Sequence, residues 1–173
     1  DPLPPGDPQP DYGVRTFEKM NATMAEITGI PVTNPAVAQT FNTVKQALPS
    51  VESIDAFVSS HQTAVAQLAI RYCDQLVEDA ARRAAFFPGL LITETASTYF
   101  AVEENRDLVV NPLLTRAIGV NLTTHPTSGA ATELHGLIET LRTAPTGGAP
   151  GRTATITKAA CGAALGSAMT LVH

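Results

Sequence analysis

Tryptophan is absent from the chain, and aromatic residues of all kinds make up only 5%. A core of this protein must therefore be built from Leu, Ile, Val, Ala, Met and a few Phe, which suits closely packed helices better than a β-sandwich. Charge is also scarce. Asp, Glu, Lys and Arg together make 16% of 173 residues, with eleven basic residues against sixteen acidic ones. No basic stripe is available to neutralise phosphates, so nucleic acid is excluded as a partner class. No polybasic run is present to hold an anionic membrane surface. There are only two cysteines, Cys73 and Cys161, and they lack the clustered spacing of a metal site.

Long hydrophobic runs are missing too. The most apolar stretch is the C-terminal "KAACGAALGSAMTLV". Only about fourteen uncharged residues follow Lys158, whereas a spanning helix needs ~20, so no transmembrane segment is expected. The chain begins "DPLPPGDPQPDYG" and lacks the charged-then-apolar pattern of a signal peptide. It reads as the start of a mature segment whose export signal would lie upstream.

What is there is helical periodicity. Residues 1–13 hold five prolines and two glycines and are expected to form an extended arm or linker, with Pro4, Pro5, Pro8 and Pro10 as candidate contact residues. Residues 14–173 read as one helical domain. Phe17, Met20, Met24 and Ile27 recur at helical spacing before a Gly29 stop. Asn34-Pro35 is a cap followed by a first-turn proline, opening a stripe of Val37, Phe41, Val44 and Leu48. From Ser53 to Glu78 a single apolar stripe runs through Ile54, Phe57, His61, Val65, Leu68, Tyr72, Cys73 and Leu76, the strongest periodicity in the chain. A short helix, "EDAARRAAFF", stops at Pro88-Gly89. Residues 90–110 are irregular, with β-branched and aromatic content that fits a short strand or extended loop. Asn111-Pro112 resembles another cap and first turn. Leu134, Leu137, Ile138 and Leu141 mark a further helix, "APTGGAPG" a flexible connection, and Arg152 to Val172 a final helix. The expected fold is an all-α irregular bundle of six or seven helices with a Pro-rich N-terminal arm.

Candidate sites are few. Gly162 and Gly166 form a small-xxx-small pattern that lets helix backbones approach closely, either in the domain core or at a subunit interface. Cys73 lies on the long stripe and Cys161 on the last helix. The two fit a single disulfide closing a loop of almost 90 residues, which implies an oxidising compartment; the alternative is two buried thiols acting as small hydrophobes. His61, on an apolar stripe, fits either a haem or metal ligand or a hydrogen-bonded boundary histidine, and no attachment motif accompanies it. Glu94, Glu103, Glu104 and Asp107 gather in the irregular segment, as a carboxylate site or a solvated loop. "GGAPGRT" departs from a phosphate-binding loop in having Thr146 and Arg152 where that motif needs Gly and Lys. Asn21-Ala22-Thr23 and Asn121-Leu122-Thr123 match the N-glycosylation acceptor by chance. No catalytic constellation and no metal site emerge, and no cofactor is called for by a motif.

Three stretches, "RTFEKMNATMAEITG", "LPSVESIDAFVSSHQTAVAQLAIRYCDQLVED" and "KAACGAALGSAMTLV", together resemble a helical region of large exported proteobacterial proteins that carry LamG-type, concanavalin-like modules. The resemblance covers about two fifths of the chain. It implies an extracellular, cell-surface or periplasmic setting, consistent with paired cysteines, and brings no catalytic residue with it. The LamG β-sandwich itself is not in this chain. The expectation is a non-catalytic exported domain acting through protein–protein association or self-association. The alternative is a haem or hydrophobic small-molecule carrier.

Overall fold

A computed structural model of the chain describes residues 16–46, 59–118 and 127–167. The Pro-rich arm, Leu48, the first turns expected for the long helix, the second glycosylation motif and the chain beyond Ser167 lie outside them. Among the described residues the fold is all-α, with eight α-helices and no strand. They are α1 (Phe17–Thr28), α2 (Pro35–Lys45), α3 (Ser59–Glu78), α4 (Ala80–Phe86), α5 (Ala96–Tyr99), α6 (Glu103–Leu113), α7 (Thr127–Thr143) and α8 (Arg152–Leu165).

Local chemistry explains most boundaries. Thr16 caps α1 by accepting from the Lys19 amide at 3.2 Å. Gly29, at φ 69°, takes the left-handed conformation that closes α1, and its N–H reaches the Ala25 carbonyl. An L side chain is disfavoured there, which is why this stop was legible. The Asn34 side chain accepts from Ala36 and Val37, and Pro35 starts α2 where a missing N–H costs nothing. Asp79 caps α4 through the Arg82 amide at 3.0 Å.

Residues 90–110 are not a strand. They hold the single turn α5 and most of α6, and Asn111-Pro112 ends a helix rather than opening one. The reason is visible at the starts of both elements. Val102 has no side chain able to cap α6, and Thr95, although of a capping type, makes no side-chain cap bond at the single turn α5. What favours α6 is the pair Glu103 and Glu104 in its first turn, where carboxylates suit the helix dipole. Pro112 has no N–H for the Leu108 carbonyl, and the ladder widens into a π-helical turn at Leu114–Ile118.

The bundle is organised on α3. It packs most extensively against α8 and also contacts α1, α2 and α4, while α7 packs on α8 and α6. One continuous core results, with Leu68, Tyr72, Leu76, Val109, Leu113, Ile138, Ile156 and Leu165 all fully buried. Phe17 stacks on Phe41 with ring centroids 5.0 Å apart, and Glu18 pairs with Lys45, so α1 is tied to α2 at two adjacent points.

Tyr72 carries the one deeply buried phenol of α3. Its hydroxyl donates to Asn21 Oδ1 at 2.6 Å, with the Asn21 carbonyl at 3.1 Å, and burial pushes its pKa up to about 12. Tyr72→Phe would strand the Asn21 side chain without its donor. Urea unfolding is expected to show a loss of about 1–3 kcal/mol. A loss under 0.5 kcal/mol would mean the bond adds nothing net.

The α7–α8 connection, expected as a flexible link, is hydrogen-bonded to α5. Arg142 donates to the Ser97 carbonyl at 3.1 Å, and the Ser97 amide donates to the Gly147 carbonyl at the same distance. Gly147 is buried, and its own N–H is bound to Ala144 O at 2.7 Å. The segment is a folded turn clamped to α5.

Candidate functional site

The two cysteines meet where α3 crosses α8. Cys73 and Cys161 are fully buried, their sulfurs lie at disulfide-bonding distance, and their Cα atoms are 5.8 Å apart. Two facing stripes produce this. Cys73 sits between Tyr72 and Leu76 on the buried face of α3, and Cys161 follows Ala160 on the buried face of α8.

Gly162 and Gly166, read from the sequence as core or interface residues, lie on the same crossing. A Cβ on Gly162 would sit 3.2 Å from Ile70 Cγ1, and one on Gly166 would sit 3.8 Å from Ala69 Cβ and 3.9 Å from Ala66 Cα. Ala66, Ala69 and Ile70 all belong to α3. The small-residue face thus packs on α3 within the domain. The physical reason is the disulfide crossing, which brings the two backbones close enough that α8 needs small residues there. Gly162→Ala is expected to be nearly neutral, because helix propensity gains up to about 1 kcal/mol while exposed Ile70 can yield a few tenths of an ångström. Gly162→Leu should cost about 1–3 kcal/mol by overpacking, with no change of oligomeric state. Urea unfolding beside gel filtration checks both, and a dissociated oligomer from stable Gly162→Leu would restore the interface reading.

Next to this crossing the surface opens into a groove of about 600 Å³. Its floor is a strip of α3, Gln67, Ile70, Arg71 and Asp74, at the i, i+3, i+4, i+7 spacing of one helix face. One wall is α2, through Gln39, Thr40, Thr43 and Val44, and Lys158 of α8 stands on the other side. Ile70 is 57% exposed and is the one large apolar side chain of α3 turned outward among the described residues.

The charges of the groove are mutually engaged. Lys158 Nζ donates to Asp74 Oδ1 at 2.7 Å and also to Glu78. Arg71 Nε donates to Thr40 Oγ1 at 3.1 Å and its NH1 lies 3.5 Å from Asp74. The Thr40 and Thr43 hydroxyls donate back to the Ala36 and Gln39 carbonyls. Burial works to raise the Asp74 pKa, but the hydrogen bond and charge of Lys158, with Gln75 and Arg71, together outweigh it and hold the carboxyl below its ordinary 3.8. Burial likewise works to lower Lys158, and the bonds to Asp74 and Glu78 hold it above 10.5. At neutral pH the lysine is thus protonated and the aspartate ionised. A protonated amine is no nucleophile and an ionised carboxylate is no general acid. The lysine is therefore held as an ion-pair donor and the aspartate as its acceptor.

The pH dependence follows with a definite sign. Asp74 has a depressed folded pKa, so its stabilisation is present above its ordinary 3.8 and is lost as pH falls through the lower folded value. Lys158 has a raised folded pKa, so its stabilisation is present below 10.5 and disappears as pH climbs through the higher folded value. Lys158→Met should flatten both flanks of the stability–pH profile and cost about 1 kcal/mol at neutrality. Profiles of identical shape for the two proteins would assign the acid and alkaline losses to other groups.

The remaining sequence candidates are dispersed. His61 is half-buried in the first turns of α3, twelve residues before Cys73 and outside the groove lining. Among the described residues no group of three His, Cys, Asp or Glu side chains converges as a metal site. The acids do not form one cluster. Glu94 precedes α5 and gives its carbonyl to the Thr153 hydroxyl at 2.6 Å, Glu103 and Glu104 lie exposed in the first turn of α6, and Asp107 meets His135 Nε2 at 3.2 Å. At the start of α8, Gly151 stands at φ 72° and the Thr153 hydroxyl is engaged with the Glu94 carbonyl. Asn21 is only 8% exposed and its side-chain oxygen accepts from Tyr72, so the first glycosylation motif is folded into the core. No described helix is long and apolar enough to cross a membrane.

Sequence reasoning overlooked the groove. Its residues come from three helices and carry no motif, and their only individual signal is Ile70, an apolar residue on the otherwise polar side of α3. Compared with known proteins, the chain matches no family model, no curated protein and no solved structure.

Proposed function

We propose that this protein is a non-catalytic helical domain that acts through protein–protein association, as a structural or accessory subunit of a cell-surface or extracellular assembly. The observation that carries this reading is the open groove over Ile70, where an exposed apolar side chain is ringed by amides, hydroxyls and charges already locked in pairs. Such a surface has the anatomy of a contact patch, with an apolar centre and a polar rim. The Pro-rich arm, with Pro4, Pro5, Pro8 and Pro10, is the second contact element of this proposal. Cysteines at bonding distance and the resemblance to exported LamG-bearing proteins support an oxidising compartment, where such a pair persists.

The test is native, unreduced mass spectrometry of the protein isolated from its source. A multimer or a co-purifying protein, with a mass two hydrogens short of the sequence, is the expected result. A bare monomer with both thiols free would defeat both the association and the export parts.

A second reading, a carrier of a small hydrophobic ligand, is favoured by the groove volume alone, which lies in the range of small-molecule sites. Under it the same spectrum would show a monomer with excess mass. A visible absorption band lost in His61→Ala would extend it to haem.

A further inference from the structure

We draw no further inference here: the strongest candidate, the groove between α2 and α8 over Ile70, belongs to the site already described, and nothing in the structure shows what covers it.

Discussion

The Cys73→Ala, Cys161→Ala double variant is expected to unfold about 4–5 kcal/mol more easily than the oxidised protein. The residues are 88 apart in sequence, so the bond removes the closure entropy of a long loop from the unfolded chain. A domain of this size is stable by about 5–15 kcal/mol, so the change takes a large share. In a thermal scan it corresponds to a drop of roughly 10–15 °C. Its position makes the effect global. It pins α3 to α8, the most extensive helix pair of the bundle, and α1, α2 and α7 all lean on one of those two helices. Both sulfurs are fully buried, so a reductant should reach the bond only through opening of the bundle. Native oxidised protein should therefore resist dithiothreitol at neutral pH and lose the bond rapidly once partly unfolded in urea. Calorimetry on oxidised and double-variant protein measures the first part, and thiol titration against time the second. A double variant within 1 kcal/mol of the oxidised protein would show that the pair does not constrain the unfolded chain.

Gly147→Ala should destabilise the protein by about 1–3 kcal/mol, whereas its neighbour Gly148→Ala should stay within about 0.5 kcal/mol of the parent. A Cβ on Gly147 would overlap the Arg142 carbonyl oxygen and lie 2.8 Å from the carbonyl carbon, so backbone must move. On Gly148 nothing lies within 4 Å. Neither glycine has a positive φ, so the contrast isolates the close approach from conformational strain. Displacing Gly147 also withdraws the carbonyl that receives the Ser97 amide, and with it the clamp on α5. Hydrogen exchange at Ser97 should then accelerate in Gly147→Ala and stay unchanged in Gly148→Ala. Equal stabilities and equal Ser97 protection would mean that the turn accommodates the methyl group by rearranging elsewhere.

The legible parts of this fold are those encoded by neighbours in sequence. Asn34-Pro35 and Gly29 each act on backbone groups within four residues, so their patterns read directly as helix ends, whereas Asp79, inside the stretch read as one helix, turns out to cap α4. The long stripe of α3 was equally plain, because burial of one face repeats every turn for as long as the helix is covered. At Thr95 and Val102 no side-chain cap bond marks the helix starts, so α5 and α6 are not legible in the sequence, and Asn111-Pro112 lies at the end of a helix rather than its start. That motif has the same composition at either end of a helix, and only the packed position of Val109, Val110 and Leu113 decides between them.

By itself, then, the sequence determined the helical class, the caps and the buried face of α3, since each is a local or periodic property. It also put one cysteine on each of two apolar stripes. Only the tertiary structure decided that those stripes meet, that the Gly162–Gly166 face is covered by α3, and that Gly147 lies under the Arg142 carbonyl. It alone assembled the groove, from α2, α3 and α8 residues up to 119 positions apart, Gln39 to Lys158. The reason is physical. A contact between distant segments depends on the angle and spacing at which helices cross, and those are set by the whole packed core rather than by any one stretch of chain.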